Sequence, residues 1–239
     1  MTLDRESEEY MYLLTVCTIL CTIILFFVCN RKIGNEDVFY DEKISPVVKA
    51  IGDNEKLAEE ILKYIGNTTT KVEKNEDNKI KASFYNCNTD KITVKNTEDL
   101  DDCSRLIHIA HECVHSIQEK KLVKAHFILS NIQIFYFLGI FIYFFYNKNL
   151  ELRLSLLLIQ IFIFSATFFI KIVLESDATY RGPILAFRYL TDKIDKVSLR
   201  NFEKNVEERL YKMVPMSYFS LYMQGAVLMI ITQVGAILI

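Results

Sequence analysis

The sequence predicts a mainly α-helical integral membrane protein, with four transmembrane helices and a small α+β cytoplasmic domain carrying an HExxH helix. Three observations lead there. The chain of 239 residues is 51% hydrophobic with a mean hydropathy of +0.18, yet 24% of it is charged. Those values are compatible only if apolar and charged residues are segregated, and they are. Four apolar runs stand at about 11–29, 127–146, 154–174 and 216–239, each close to or above the ~20 residues a helix needs to cross a bilayer core. Lastly, residues 31–126 hold 16 of the 28 basic residues and residues 171–212 hold nine more, against Arg5, Lys148 and Arg153 elsewhere.

That charge asymmetry places both polar segments in the cytoplasm and both termini outside, by the positive-inside rule. Arg31-Lys32 and Lys120-Lys121-Lys124, close to the span ends, agree with it. The expected organisation is an N-terminal anchor helix (1–30), a cytoplasmic α+β segment with the HExxH helix (31–126) and a transmembrane hairpin (127–174). A cytoplasmic helical segment (175–215) and a C-terminal transmembrane helix (216–239) complete it. The first run follows an acidic stretch, is long for a signal sequence and has no small-x-small cleavage site after it, so it reads as a retained anchor. The expected setting is a multi-pass cell-membrane protein in contact with lipid. A net charge of −2 says nothing about nucleic acid, but no basic-aromatic platform is present, so no nucleic-acid partner is expected. Six cysteines without a CxxC pair give no disulfide framework.

Within 31–126, Asp53 or Asn54 caps a helix over Glu55–Ile65, with Leu57, Ala58, Ile61, Leu62 and Ile65 on one face and Gly66-Asn67 as the stop. Strands are expected over Thr69–Lys74 and Lys79–Tyr85, the latter paired through an Asn88-Thr89-Asp90 turn with Lys91–Lys95 as a hairpin. Asp101-Asp102-Cys103-Ser104 then opens the helix that carries the HExxH pentad. After the third apolar run the chain stays helical to about Leu190, with Arg181-Gly182-Pro183 expected to kink or break it. An amphipathic helix over Ser198–Met213 repeats Leu199, Phe202, Val206, Leu210 and Met213. Pro215 is expected to separate it from the last span.

The chemistry resides in His111-Glu112-Cys113-Val114-His115. Histidines four apart on a helix project from one face, one turn apart, and two imidazole nitrogens can then reach one tetrahedral Zn²⁺. Glu112 points about 100° away, where it can take a proton from water activated by that metal. Composition alone would produce about 0.005 such pentads in this chain. His108 and Gln118 extend the stripe to 108/111/115/118. A catalytic zinc needs a third protein ligand, and Glu175, just after the third span, is the best candidate. A two-span excursion returns the chain there to the face it left near His115. Asp177 is an alternative ligand, or it orients a zinc-bound histidine. His108 reads as a packed or ligand-orienting histidine, and Tyr180 and Arg181 as candidates to stabilise a tetrahedral intermediate. The 84–94 hairpin offers an edge for an extended peptide.

Residues 110–118 (AHECVHSIQ), 174–179 (LESDAT) and 84–94 (FYNCNTDKITV) resemble the YugP-like neutral zinc metallopeptidases of bacterial membranes. The order of anchor, small domain, HExxH helix, two spans, acidic ligand motif and final span is similar to that family along nearly the whole chain. The resemblance implies His111, His115 and Glu175 as ligands of one Zn²⁺ per chain and Glu112 as the general base. Val114 stands where the family usually has Gly and adds bulk to that side of the helix. The expected activity is zinc-dependent endopeptidase cleavage of a peptide or of a membrane protein's cytoplasmic segment. The rival expectation is a zinc-binding membrane scaffold or regulator without catalysis. An intramembrane protease would need the pentad inside an apolar span, and 98–126 is too densely charged. A transporter would need ionisable residues within the spans, which have almost none. Substrate, cleavage specificity and oligomeric state are not encoded in any motif of the chain.

Overall fold

A computed structural model describes residues 2–30, 40–75, 82–96, 99–147 and 149–238. The chain is mainly helical (75%), with one small sheet. In order its elements are α1 (Thr2–Asn30), α2 (Ser45–Ile51), α3 (Asn54–Tyr64), β1 (Lys71–Lys74), β2 (Phe84–Asn86), β3 (Lys91–Val94), α4 (Ser104–Ile117), α5 (Lys120–Tyr146), α6 (Leu150–Leu190) and α7 (Lys196–Leu238). They form two compact units. One comprises Met1–Ile33, Ala125–Ile172 and Lys212–Ile239; the other comprises Gly34–Lys124 and Val173–Tyr211.

In the first, helical unit, α5 and α6 are long and apolar enough to cross a membrane, and most of their apolar stretches face outward rather than into a core. Phe135, Phe162 and Phe169 are each more than 70% exposed, a display that suits lipid better than water. The apolar stretches of α1 and α7 among the described residues are shorter, Tyr12–Ile24 and Gly225–Gly235. The α5–α6 turn is clamped by Arg153. Its Nη2 donates to Phe144 O at 2.6 Å and its Nε to Asn147 O at 2.8 Å, which satisfies carbonyls at the end of α5. Gln160 donates to the Thr232 hydroxyl at 3.0 Å and Gln233 to the Thr18 hydroxyl at 3.4 Å, tying α6 to α7 and α7 to α1.

The second unit is a polar α+β body. Asp53 caps α3 by accepting the Lys56 N–H at 3.1 Å. The sheet order is β1-β3-β2, with β2 and β3 the expected antiparallel hairpin in the register Phe84↔Thr93, Tyr85↔Ile92 and Asn86↔Lys91. The parallel pairing of β1 with β3 was not anticipated. Residues 76–81, which include the first three residues of the strand expected over Lys79–Tyr85, lie outside the described residues, and the described strand begins at Phe84. Asp90, at φ 47°, closes the hairpin turn; its carboxylate accepts from Thr70 and Tyr85 at 2.9 Å and pairs with Lys120 at 3.2 Å. One core unites the unit: Leu57, Ala58 and Ile61 of α3, Ile92 of β3, Leu106, Ile109 and Cys113 of α4, Ala178, Ala186 and Leu190 of α6, and Phe202 of α7.

Two helical expectations are corrected. Pro183 does not break its helix, because α6 runs unbroken to Leu190. Proline in a helix interior costs ~3 kcal/mol, but Pro183 is buried and followed by core residues Leu185, Ala186 and Tyr189, whose burial outweighs that cost. Pro215 does not separate two helices either, since α7 continues through it. The helix through the pentad stops at Gln118, which turns extended (ψ 165°) before α5 begins. The apolar stripe of Leu199, Phe202 and Val206 packs into the polar unit's core. The side chain of Met213 lies outside the described residues.

Candidate metal centre

α4 is amphipathic, burying Leu106, Ile109, Ala110, Cys113 and Val114 while its opposite stripe carries the histidines. Val114 is 1% exposed and its bulk is absorbed by the core. Gly182 of α6 lies directly against the α4 backbone: a Cβ there would come within 3.0 Å of His111 Cα and 3.1 Å of His111 N. Absence of a side chain at this position lets the helix bearing Glu175 approach the helix bearing His111.

The three expected ligands converge. His111 Nε2 and His115 Nε2 are 3.1 Å apart, and Glu175 Oε2 lies 3.2 Å from the first and 3.7 Å from the second. Tetrahedral donors 2.0–2.1 Å from one ion are about 3.3–3.4 Å apart, and a point about 2.0 Å from all three atoms lies roughly 0.5 Å out of their plane. The donor set therefore fits a small divalent cation with little movement. His111, Glu112 and His115 also form a group whose donor atoms lie within 4.8 Å of one another and could hold a metal ion. Glu175 is the better third member on distance, because its edges of 3.2 and 3.7 Å bracket the value a shared tetrahedral ion requires. The side chains of His111, His115 and Glu175 are 22%, 13% and 17% exposed, so the cluster is recessed yet open on one side.

Glu112 is held apart from that triangle. Its Oε2 accepts the backbone N–H of Tyr85 at 2.8 Å, from the edge of β2 that does not pair with β3. Burial pushes the Glu112 carboxyl above its ordinary range, against the pull of His115, His111 and the Tyr85 N–H. Burial alone would lower His115, but the Glu175 hydrogen bond and the Glu112 charge outweigh it and hold His115 above its ordinary value.

The remaining candidates are distributed differently. Asp177 does not reach a histidine directly: its Oδ2 accepts Gln118 Nε2 at 2.9 Å, and Gln118 Oε1 in turn meets His115 Nδ1 at 2.8 Å. Arg181 pairs with Asp177 at 3.3 Å one turn along α6, which makes it a partner of the support rather than of the open face. Tyr180 is 72% exposed. His108 is exposed one turn before His111.

Three contributors had no assigned role in the sequence reading. Gln118 was visible as part of the polar stripe. Gly182 was visible only inside a triplet expected to break its helix. The Tyr85 N–H is a main-chain group and has no sequence signal at all. No family model matches the chain, and neither curated proteins nor solved structures include a match to it.

Proposed function

We propose that the chain is a membrane-bound zinc metallopeptidase of the YugP-like kind, hydrolysing peptide bonds at the cytoplasmic surface of the membrane. The observation that carries this reading is the triangle of His111 Nε2, His115 Nε2 and Glu175 Oε2, with edges of 3.1, 3.2 and 3.7 Å and Glu112 beside it. A zinc ion held there would supply a Lewis acid for the scissile carbonyl and lower the pKa of a water towards 7. Glu112 is the general base: half-buried, with a raised proton affinity, and oriented by the Tyr85 N–H. It takes the proton from the attacking water and returns it to the leaving amine. The edge of β2 that does not pair with β3 runs beside that base, and its Tyr85 N–H is given to Glu112 rather than left for an added strand.

The membrane assignment rests on α5 and α6, and four spans with a cytoplasmic polar unit follow if α1 and the end of α7 also cross. Glu175 directly follows the apolar stretch of α6, and His115 precedes α5 by five residues, which suits a centre next to the bilayer surface. The substrate class is then a membrane protein's cytoplasmic segment or a peptide close to the membrane.

The test is cleavage of a panel of membrane proteins in proteoliposomes by the zinc-loaded parent and by Glu112→Gln. The expected result is cleavage by the parent only, with both proteins holding one zinc. A parent purified without stoichiometric zinc would sink the reading. Zinc binding with no cleavage across the panel would favour a scaffold or regulator.

A further inference from the structure

Gln118 is the first residue after α4 and is 7% exposed, so each polar atom of its amide needs a partner within the protein. All are satisfied, and by only one orientation. Nε2 donates to Leu174 O at 2.8 Å and to Asp177 Oδ2 at 2.9 Å, while Oε1 faces His115 Nδ1 at 2.8 Å. Flipping the amide would set its oxygen against two acceptor oxygens at those distances. Because Oε1 can only accept, His115 Nδ1 carries the hydrogen, and in the neutral ring Nε2 is then the lone-pair nitrogen. That Nε2 is the atom 3.1 Å from His111 Nε2 and 3.7 Å from Glu175 Oε2. Leu174 and Asp177 bracket Glu175 in sequence, so the same amide also joins the His115 end of α4 to the turn of α6 that carries the third donor.

We propose that Gln118 is the positioning residue of the metal centre, locking His115 in its Nδ1–H tautomer and fastening Glu175's turn to it. This rests on the metallopeptidase reading only for the presence of the ion. Asp177 acts through Gln118 as acceptor, and Arg181 holds Asp177 in place from one turn away. The residues expected from sequence to touch ligand or substrate thus become the outer end of a relay: Arg181, Asp177, Gln118, His115.

The test uses the full chain in detergent or nanodiscs, with zinc affinity measured by chelator competition and the His115 Nδ1–H followed by ¹⁵N-resolved NMR of the zinc-loaded protein. Gln118→Leu is expected to weaken zinc binding by about 10–100-fold, the usual loss when a ligand's orienting partner is removed. Gln118→Glu keeps the acceptor for His115 but presents oxygens to Leu174 O and Asp177, and should lose at least as much. Adding Asp177→Asn to Gln118→Glu supplies an N–H to the new carboxylate and should restore part of the affinity, which a merely structural role would not do. In the parent, His115 should bind through Nε2 with a slowly exchanging Nδ1–H; coordination through Nδ1 overturns the proposal even if the variants misfold. If the parent binds zinc and Gln118→Leu binds it equally tightly, the Gln118 assignment alone fails. If the parent binds no zinc, the metallopeptidase reading fails with it.

Discussion

Replacing Gly182 with Ala tests whether the close approach of α6 to α4 sets the spacing of the metal donors. A Cβ at 182 would stand 3.0 Å from His111 Cα, 3.1 Å from its N and 3.3 Å from its Cβ. Carbon atoms in ordinary contact sit about 3.5–4.0 Å apart, and two helix backbones cannot yield as a side-chain tip can. The helices must part locally by about 0.5 Å, whereas metal–ligand distances tolerate only about 0.2 Å. Overpacking of this kind costs about 1–3 kcal/mol, and the better helix propensity of Ala returns about 1 kcal/mol. The metal-free protein should therefore lose about 0–2 kcal/mol of stability. Zinc affinity should fall by about tenfold for each 1.4 kcal/mol that reaches the site. Chelator competition gives the affinity, and thermal unfolding with and without zinc separates it from global stability. Zinc affinity equal to the parent's would refute the argument that Gly182 sets the donor geometry. So would a loss confined to the metal-free fold.

Other outcomes follow from the polar unit. Asp53→Ala removes the acceptor for Lys56 N–H at the start of α3 and should cost about 1 kcal/mol in urea unfolding. Ile109→Ala, at a position 1% exposed on the packed face of α4, should cost about 2–5 kcal/mol, so that zinc binding is lost with the fold rather than before it. Asp53, Glu60 and Asp90 are held below their ordinary values of 3.8, 4.5 and 3.8: Asp53 chiefly by the Lys56 N–H, Glu60 chiefly by the Tyr189 hydroxyl, and Asp90, against its burial, by Thr70, Tyr85 and Lys120. Groups depressed by folding stabilise it above their unfolded values, and that stabilisation disappears as pH falls through the folded ones. The urea midpoint of the metal-free protein should thus decline below about pH 4 as these three carboxylates take up protons, whereas the raised His115 and Glu112 act in the opposite sense and add stability as pH falls from about 7 towards 5. Asp90→Asn keeps a residue that tolerates positive φ while removing the charge. It should shallow that acid decline, and an unchanged pH profile would remove Asp90 from the explanation.

The sequence announced the centre because two of its donors and its base are packed into five residues, and a helix needs no tertiary information to put His111 and His115 on one face. Glu175 is 60 positions further on, and it was reached through the two-span excursion rather than through a local pattern. What bound the pieces together was less legible. Gln118 was seen as one polar residue in a stripe, but its partners Leu174 O and Asp177 become neighbours only when α4 and α6 pack. The Tyr85 N–H belongs to the backbone, and the parallel β1–β3 pairing is decided by long-range contacts that no alternation of side chains encodes. Pro183 and Pro215 misled for a related reason. Their local cost is fixed, while the burial that overrides it at Pro183 depends on residues such as Ala178, Leu190 and Phe202 meeting in one core.

Zinc K-edge absorption on the purified, metal-quantified protein, compared with Glu175→Ala, tests the central claim most directly. One zinc per chain is expected, with two imidazole nitrogens and one carboxylate oxygen at about 2.0–2.2 Å in the parent, and the carboxylate contribution gone in the variant. Absence of stoichiometric zinc, or a first coordination sphere that Glu175→Ala leaves unchanged, would contradict it.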